Sequence, residues 1–163
     1  MANHALATRT ISVEHVTIPS RNSFDTVRAK LEALLPLIDD GIFTLLRFGQ
    51  SQRALQELEA GPTLSILGFR DHGALLTVVG LQRRAIQYEI GNPLTASKMT
   101  RHHISAGLYA PIRVLLREDA DGVVAFEYDR PASVFGQLGD DQLDVIARQL
   151  DQNLQAALEA ASS

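Results

Sequence analysis

The chain contains no cysteine and no tryptophan. Without thiols it can form no disulfide, no thiolate nucleophile, no zinc–thiolate site and no cysteine-ligated iron–sulfur cluster. Long apolar runs are missing too. No stretch approaches the ~18 consecutive apolar residues that a membrane helix needs, so no membrane partner is expected. Charge of one sign is also scarce: 15 Lys and Arg stand against 19 Asp and Glu, a net charge of −4. A nucleic-acid partner normally leaves a basic footprint, and the pair Arg83-Arg84 is too small to supply one. Glycine-rich nucleotide loops and the G-x-S-x-G elbow are absent as well. Residues 1–10 mix Asn3, His4 and Arg9 with alanines and lack the apolar stretch of a signal peptide, so they read as a loose tail. A cytoplasmic location is the expectation.

What is present is ordinary for a globular protein: 45% hydrophobic and 21% charged residues over 163 positions. A chain of this length forms one domain and buries about 70% of its unfolded surface. Ile11 to Ile18 is the first strand, with its apolar phase shifting between Val13 and Val16. Ser23 is placed as an N-cap with Asp25 in the first turn. Phe24, Val27, Leu31, Leu34, Leu35 and Ile38 then follow at helical spacing, interrupted by Pro36. Asp39-Asp40-Gly41 reads as a turn. Residues 42–61 form a helical insertion, with a helix over Ser51–Ala60 stopped by Gly61-Pro62.

Leu64 to Phe69 is a strand, and the apolar run Ala74 to Val79 fits a strand or a short helix equally well. Ile86, Tyr88 and Ile90 alternate inward along the next strand. A helix from about Leu94 to His103 follows Gly91-Asn92-Pro93. The strands Pro111–Glu118 and Val123–Asp129 are joined by a tight turn at Asp121-Gly122. A last helix, capped by Asp140 or Asp141, carries Leu143, Ile146, Ala147, Leu150, Leu154 and Leu158 on one face, and its end at 160–163 is expected to fray. No internal repeat or linker divides the chain.

The run Tyr88-Glu89-Ile90-Gly91-Asn92-Pro93 resembles the bacterial family called domain of unknown function 302. Three further segments carry the likeness: the small helix Leu94–Met99, the Gly107-Leu108-Tyr109-Ala110-Pro111 entry into a strand, and the Glu118–Gly122 hairpin closing at Asp129-Arg130-Pro131. Asp71-His72 is similar to an Asp-His pair in many members. The clear match spans Leu64 to Pro131. The resemblance implies an α+β two-layer sandwich of βαβ type, with a mixed sheet of five or six strands, helices mainly on one face, and often a homodimer. It also implies that 74–79 is a short helix. Two departures stand out. Gly91 replaces the cysteine that many members carry before Asn-Pro, so no thiol role operates there, and the segment Thr44–Ala60 is longer than usual. The family has no agreed activity.

The chemistry-bearing residues are few. Asn92-Pro93 leads into a helix whose free N–H groups and positive dipole end could cradle an anion. A purely structural cap with proline at the first helical position accounts for the same residues. His72 follows a strand; as a neutral imidazole it could be a haem axial ligand or a general base, or it could simply bond to Asp71 and the nearby loop. Leu67, Phe69, Leu75, Val78, Met99 and Leu108 could wall a haem pocket, or they could be ordinary core. His102-His103 point to different faces and are poorly placed to share an ion. Leu115, between Arg113 and Arg117, lies on the sheet face away from the expected core; an open sheet with one face bare would expose all three, and the alternatives are cover by residues 42–60 or by a second subunit. The acidic pairs Asp39-Asp40 and Asp140-Asp141 sit in a turn and a cap.

Three functional expectations follow. The first is a small-ligand-binding domain, with haem as a candidate cofactor, using His72, Gly91, Asn92, Pro93 and Met99. The second is a metal-independent enzyme with His72 as base beside an anion-cradling helix start. The third is a dimeric interaction protein with an apolar interface around Leu115 and no cavity near Gly91. The first two require His72 and the Asn-Pro turn to meet at one edge.

Overall fold

The computed structural model describes residues 5–163. Residues 5–14 form no helix or strand, and residues 1–4 of the expected tail lie outside the described part. The first strand, β1 (His15–Ser20), starts later than the apolar residues Ile11 and Val13 indicate. The expected phase shift is therefore the strand's beginning: from His15 onward Val16 and Ile18 alternate regularly toward the helices. Ser23 caps α1 (Phe24–Leu34) by accepting the Thr26 N–H, as its sequence position predicts.

Pro36 does end that helix, and Ile38 does not continue its stripe. Residues 36–38 instead run beside β2 (Ser65–Asp71), where Ile66 donates to the Pro36 carbonyl and Ile38 donates to that of Ile66. Proline removes the helical donor and pushes its neighbour to extended backbone, which frees this segment to bridge a strand edge. Two helices fill the stretch that follows: α2 (Gly41–Arg47), which the turn signal at 39–41 did not reveal, and α3 (Ser51–Ala60) at its expected place.

Asp71 caps α4 (His72–Leu76), accepting the Ala74 N–H at 2.8 Å, and a 3₁₀ turn over Thr77–Val79 completes the short helical segment that the family resemblance implies. β3 (Arg84–Gly91), α5 (Pro93–Thr100), β4 (Ile112–Glu118) and β5 (Val124–Asp129) come next. A short α6 (Pro131–Gly136) precedes α7 (Asp141–Ser162), which Asp140 caps through the Gln142 and Leu143 N–H groups. The expected fraying of 160–163 does not occur. Ala161 is buried, and Ser20 and Asn22 both donate to the Ser162 carbonyl.

The five strands lie in the order β1-β5-β4-β3-β2. The two-layer α+β sandwich is as expected, but the sheet is not mixed: every ladder is antiparallel, and among the described residues parallel pairing is confined to the Leu37–Ile66 bridge. Helices α1, α5 and α7 cover one face, where Tyr88, Phe126, Val114, Leu116, Met99, Leu143 and Leu154 form the core. Helix α3 packs on α2 and α5. Buried Tyr88 donates its hydroxyl to Glu32 of α1 at 2.8 Å; burial, reinforced by that carboxylate, holds its ionisation well above the usual tyrosine value.

The second face carries a row formed by Gln87, Leu115 and Glu127 across β3, β4 and β5. Two ion pairs form on it, Arg117 with Glu127 at 2.7 Å and Arg70 with Glu89 at 2.5 Å, while Arg113 is exposed. Leu115 is half-buried among these polar neighbours, so no large apolar interface surrounds it.

Around Asp71-His72 the structural demand falls on the next residue. A Cβ on Gly73 would lie 2.4 Å from the Arg83 carbonyl oxygen and 3.1 Å from the Ala85 nitrogen, so only glycine lets α4 sit against β3. Gly73→Ala is expected to lower unfolding free energy by about 1–3 kcal/mol, the usual cost of overpacking. His72→Ala, at a half-buried side chain, is expected to change it by no more than about 0.5 kcal/mol. Urea denaturation of both variants checks the contrast, and a larger loss at His72 would contradict it.

Candidate functional site

At the end of β3 the chain leaves the sheet through Gly91 and enters α5 through Asn92-Pro93. Asn92 adopts extended backbone, and its side-chain amide is fully used. Oδ1 accepts the N–H groups of Leu94 at 2.8 Å and Thr95 at 3.4 Å. Nδ2 donates to the carbonyls of Pro62 at 3.1 Å and Thr63 at 3.2 Å. The Asn92 backbone carbonyl takes the Ala96 N–H, and Pro93 has none to offer. Every donor of the first helical turn is therefore spent within the protein. The structural account of this turn holds, and the anion cradle has no free N–H group to work with.

Beside this turn lies a half-open cavity of about 90 Å³. Ile90, Met99, Pro111, Ile112 and Leu150 make it apolar, and α5 contributes Thr95 and Ala96. Gly91 and Asn92 stand in its wall. The glycine is not required by backbone conformation, since its φ is not among the positive ones. A Cβ there would meet Pro111 Cβ at 3.6 Å and Leu67 Cδ1 at 3.8 Å, which are ordinary contacts. Absence of a side chain at 91 thus keeps space open rather than relieving strain.

A second cavity, of about 220 Å³, lies across Asn92 and is bordered by Pro93, by the strand-like segment 36–38 and by the end of α3. Of the residues singled out from sequence, Leu67, Gly91, Asn92 and Met99 share the first cavity, and Asn92 and Pro93 the second.

His72 is elsewhere. Ser65 pairs with Gly91 at one end of the β2–β3 ladder, and Asp71 pairs with Ile86 near the other. Six strand residues place His72 roughly 20 Å from the Asn-Pro turn. The expected convergence of imidazole and turn is corrected by this geometry. Adjacent antiparallel strands end at opposite edges of a sheet, whereas the βαβ arrangement inferred from the resemblance would have brought both ends together.

A haem site does not assemble either. Phe69, Leu75, Val78 and Leu108 are exposed, Val78 by 84%. The cavity at Met99 is far below the several hundred Å³ of sites that engulf a larger ligand, and the residues present do not fit that group. His102 is exposed and His103 half-buried, and no cluster of three metal-ligating side chains occurs among the described residues. Sequence reasoning missed the second cavity altogether, because its wall depends on the break at Pro36, whose bridging role has no local signal.

An antiparallel sheet with a single helical layer and a turn-side cavity defines the class: a one-sided α+β sandwich. The chain belongs to the domain of unknown function DUF302 family, whose model matches residues 42–161. The same fold occurs in the crystal structure of an uncharacterized conserved DUF302 protein from Bacillus stearothermophilus, 17% identical, with a TM-score of 0.66 over 90% of this chain and 97% of that one. Comparison with the curated proteins finds no match. The matched span begins at Ile42, so α3 and all of α2 except Gly41 fall inside it.

Removing the Asn92 amide deletes a cap and frees two loop carbonyls. Asn92→Ala is expected to cost about 2 kcal/mol of unfolding free energy, with faster amide hydrogen exchange at residues 62–65 and 94–96. Exchange unchanged in both segments would contradict the role given to this side chain.

Proposed function

We propose that the protein is a small-ligand-binding domain whose ligand inserts an apolar group, such as the end of an alkyl chain, into the cavity beside Gly91. The observation that carries this reading is an apolar, half-open space at a position where a side chain would fit and none is present. Well-packed interiors leave few voids larger than a water molecule, and an apolar cavity is poorly suited to hold water, which needs two to four polar partners. Thr95 is the polar group at this wall with a hydroxyl to spare for orientation; Asn92 is already saturated. Met99 suits such a site because its unbranched thioether adapts to different shapes. Its place on the wall extends the ligand-binding set Gly91, Asn92 and Met99 to Ile112 and Leu150.

Neither the enzyme reading nor the interaction reading draws comparable support. His72 stands far from the turn, the turn has no free donors, and the face around Leu115 is polar and carries two ion pairs.

Titration with 1-hexanol, followed through the methyl resonances of Met99 and Leu150, is expected to give saturable shifts. Gly91→Leu, which fills the space, should weaken that binding at least tenfold, while Gly91→Ala serves as the folding control. Absence of saturable shifts in the wild type, or unchanged affinity in a folded Gly91→Leu variant, would overturn the proposal.

A further inference from the structure

The cavity beside Gly91 changes character with depth. Ile90 and Met99 are each 1% exposed, and Ile112 and Leu150 each 6%, so these four make an apolar floor. Asn92 and Thr95 stand in the same wall but are half-buried, which sets the polar part of the lining toward the opening. Among the described residues, no Asp, Glu, Lys, Arg or His contributes to this lining. We infer, on the ligand-binding reading of this cavity, that its guest is an uncharged aliphatic molecule carrying one oxygen, a short primary alcohol or methyl ketone, and that Thr95 selects it.

Helix α5 carries three hydroxyl side chains, Thr95, Ser97 and Thr100. Ser97 donates to the Leu94 carbonyl at 2.8 Å and Thr100 to that of Ala96 at 3.0 Å. Such bonds to a carbonyl three or four residues back are the usual fate of a hydroxyl within a helix. Three and four residues back from Thr95 lie Asn92 and Gly91, the cap and the end of β3. Its backbone N–H is given to Asn92 Oδ1, while its hydroxyl has no protein partner among the described residues. A hydroxyl offers one donor and two acceptor sites, so it can serve an alcohol or a ketone. Asn92, with both ends of its amide engaged, can serve neither.

Charge and size narrow the class further. A carboxylate or ammonium brought against an apolar wall without a counter-charge loses hydration that nothing replaces, whereas a neutral oxygen needs a single hydrogen bond. An apolar cavity of about 150 Å³ holds a benzene-sized guest, so a volume of about 90 Å³ limits the enclosed part to something smaller. The depth profile then fixes the orientation: carbon chain toward Met99 and Leu150, oxygen at Thr95.

The test titrates 1-butanol, 2-butanone, 1-chlorobutane, butylammonium chloride and sodium butanoate in turn into the whole chain, read at the methyl resonances of Met99 and Leu150. The chloroalkane keeps the chain without the oxygen and reports on the cavity alone. The three uncharged probes are expected to saturate, and the two charged ones to bind at least tenfold more weakly than 1-butanol. Thr95→Val keeps the branched shape and should lower the affinity for 1-butanol relative to 1-chlorobutane by about fivefold, the factor of one ordinary hydrogen bond. Thr95→Ser should restore that ratio. In the wild type, nuclear Overhauser contacts should join the oxygen-bearing methylene of 1-butanol to Thr95 and its terminal methyl to Met99 and Leu150. Absence of saturation by every probe would overturn the ligand-binding reading and this inference with it. Saturation by 1-chlorobutane together with charged probes that bind as tightly as 1-butanol, an unaltered ratio in a folded Thr95→Val variant, or reversed Overhauser contacts would each overturn the selection by Thr95 and leave the cavity as a binding site.

Discussion

One side chain holds the cavity-bearing end of this molecule together. The amide of Asn92 accepts two N–H groups from the start of α5 and donates to the carbonyls of Pro62 and Thr63, so it joins the end of β3, the first turn of α5 and the loop entering β2. No other uncharged side chain offers two donors and an acceptor in that geometry except glutamine, whose longer arm changes the reach. With Asn92 fixed, Pro93 is held at the first helical position, and Met99 is carried six residues along α5 into the core. The two cavities then form on either side of this junction. The residue that most resembled a ligand contact in sequence is saturated by the protein and acts by separating two spaces.

The rest of the fold places those spaces at an edge rather than in the centre. A five-stranded antiparallel sheet covered on one face buries Tyr88, Phe126 and Tyr128 under its helices. Its bare face is closed electrostatically, with Arg117 and Glu127 paired at its middle and Arg70 and Glu89 at the β2 side. Exposed pairs of this kind contribute little stability, but they let one sheet face meet water without a contiguous apolar patch. Free volume is left where the regular packing of helix on sheet stops. That is at the β3–α5 turn and beneath the segment that Pro36 releases from α1.

Elements with a local cause were legible in the sequence. Ser23, Asn92 and Asp140 each announced a helix start through a short polar side chain, and each makes the expected capping bonds. Ile86, Tyr88 and Ile90, or Val124, Phe126 and Tyr128, announced strands through strict alternation, and all six are buried. Features with a tertiary cause were not legible. The bridge of residues 36–38 to Ile66 depends on a strand thirty residues away, and the order at the end of α7 depends on Ser20 and Asn22. The site was half legible. Gly91, Asn92 and Met99 come together because they are close in sequence on consecutive elements. His72 was misplaced because its position depends on strand direction, and a βαβ reading and an antiparallel hairpin put it at opposite edges.

Xenon pressurisation of crystals tests the central claim most directly, because xenon enters apolar space and avoids sites suited to water. The account predicts a xenon peak enclosed by Gly91, Met99, Ile112 and Leu150 in the wild type and none there in Gly91→Leu. An ordered water bonded to Asn92 or Thr95 in that space, with no xenon, would contradict it.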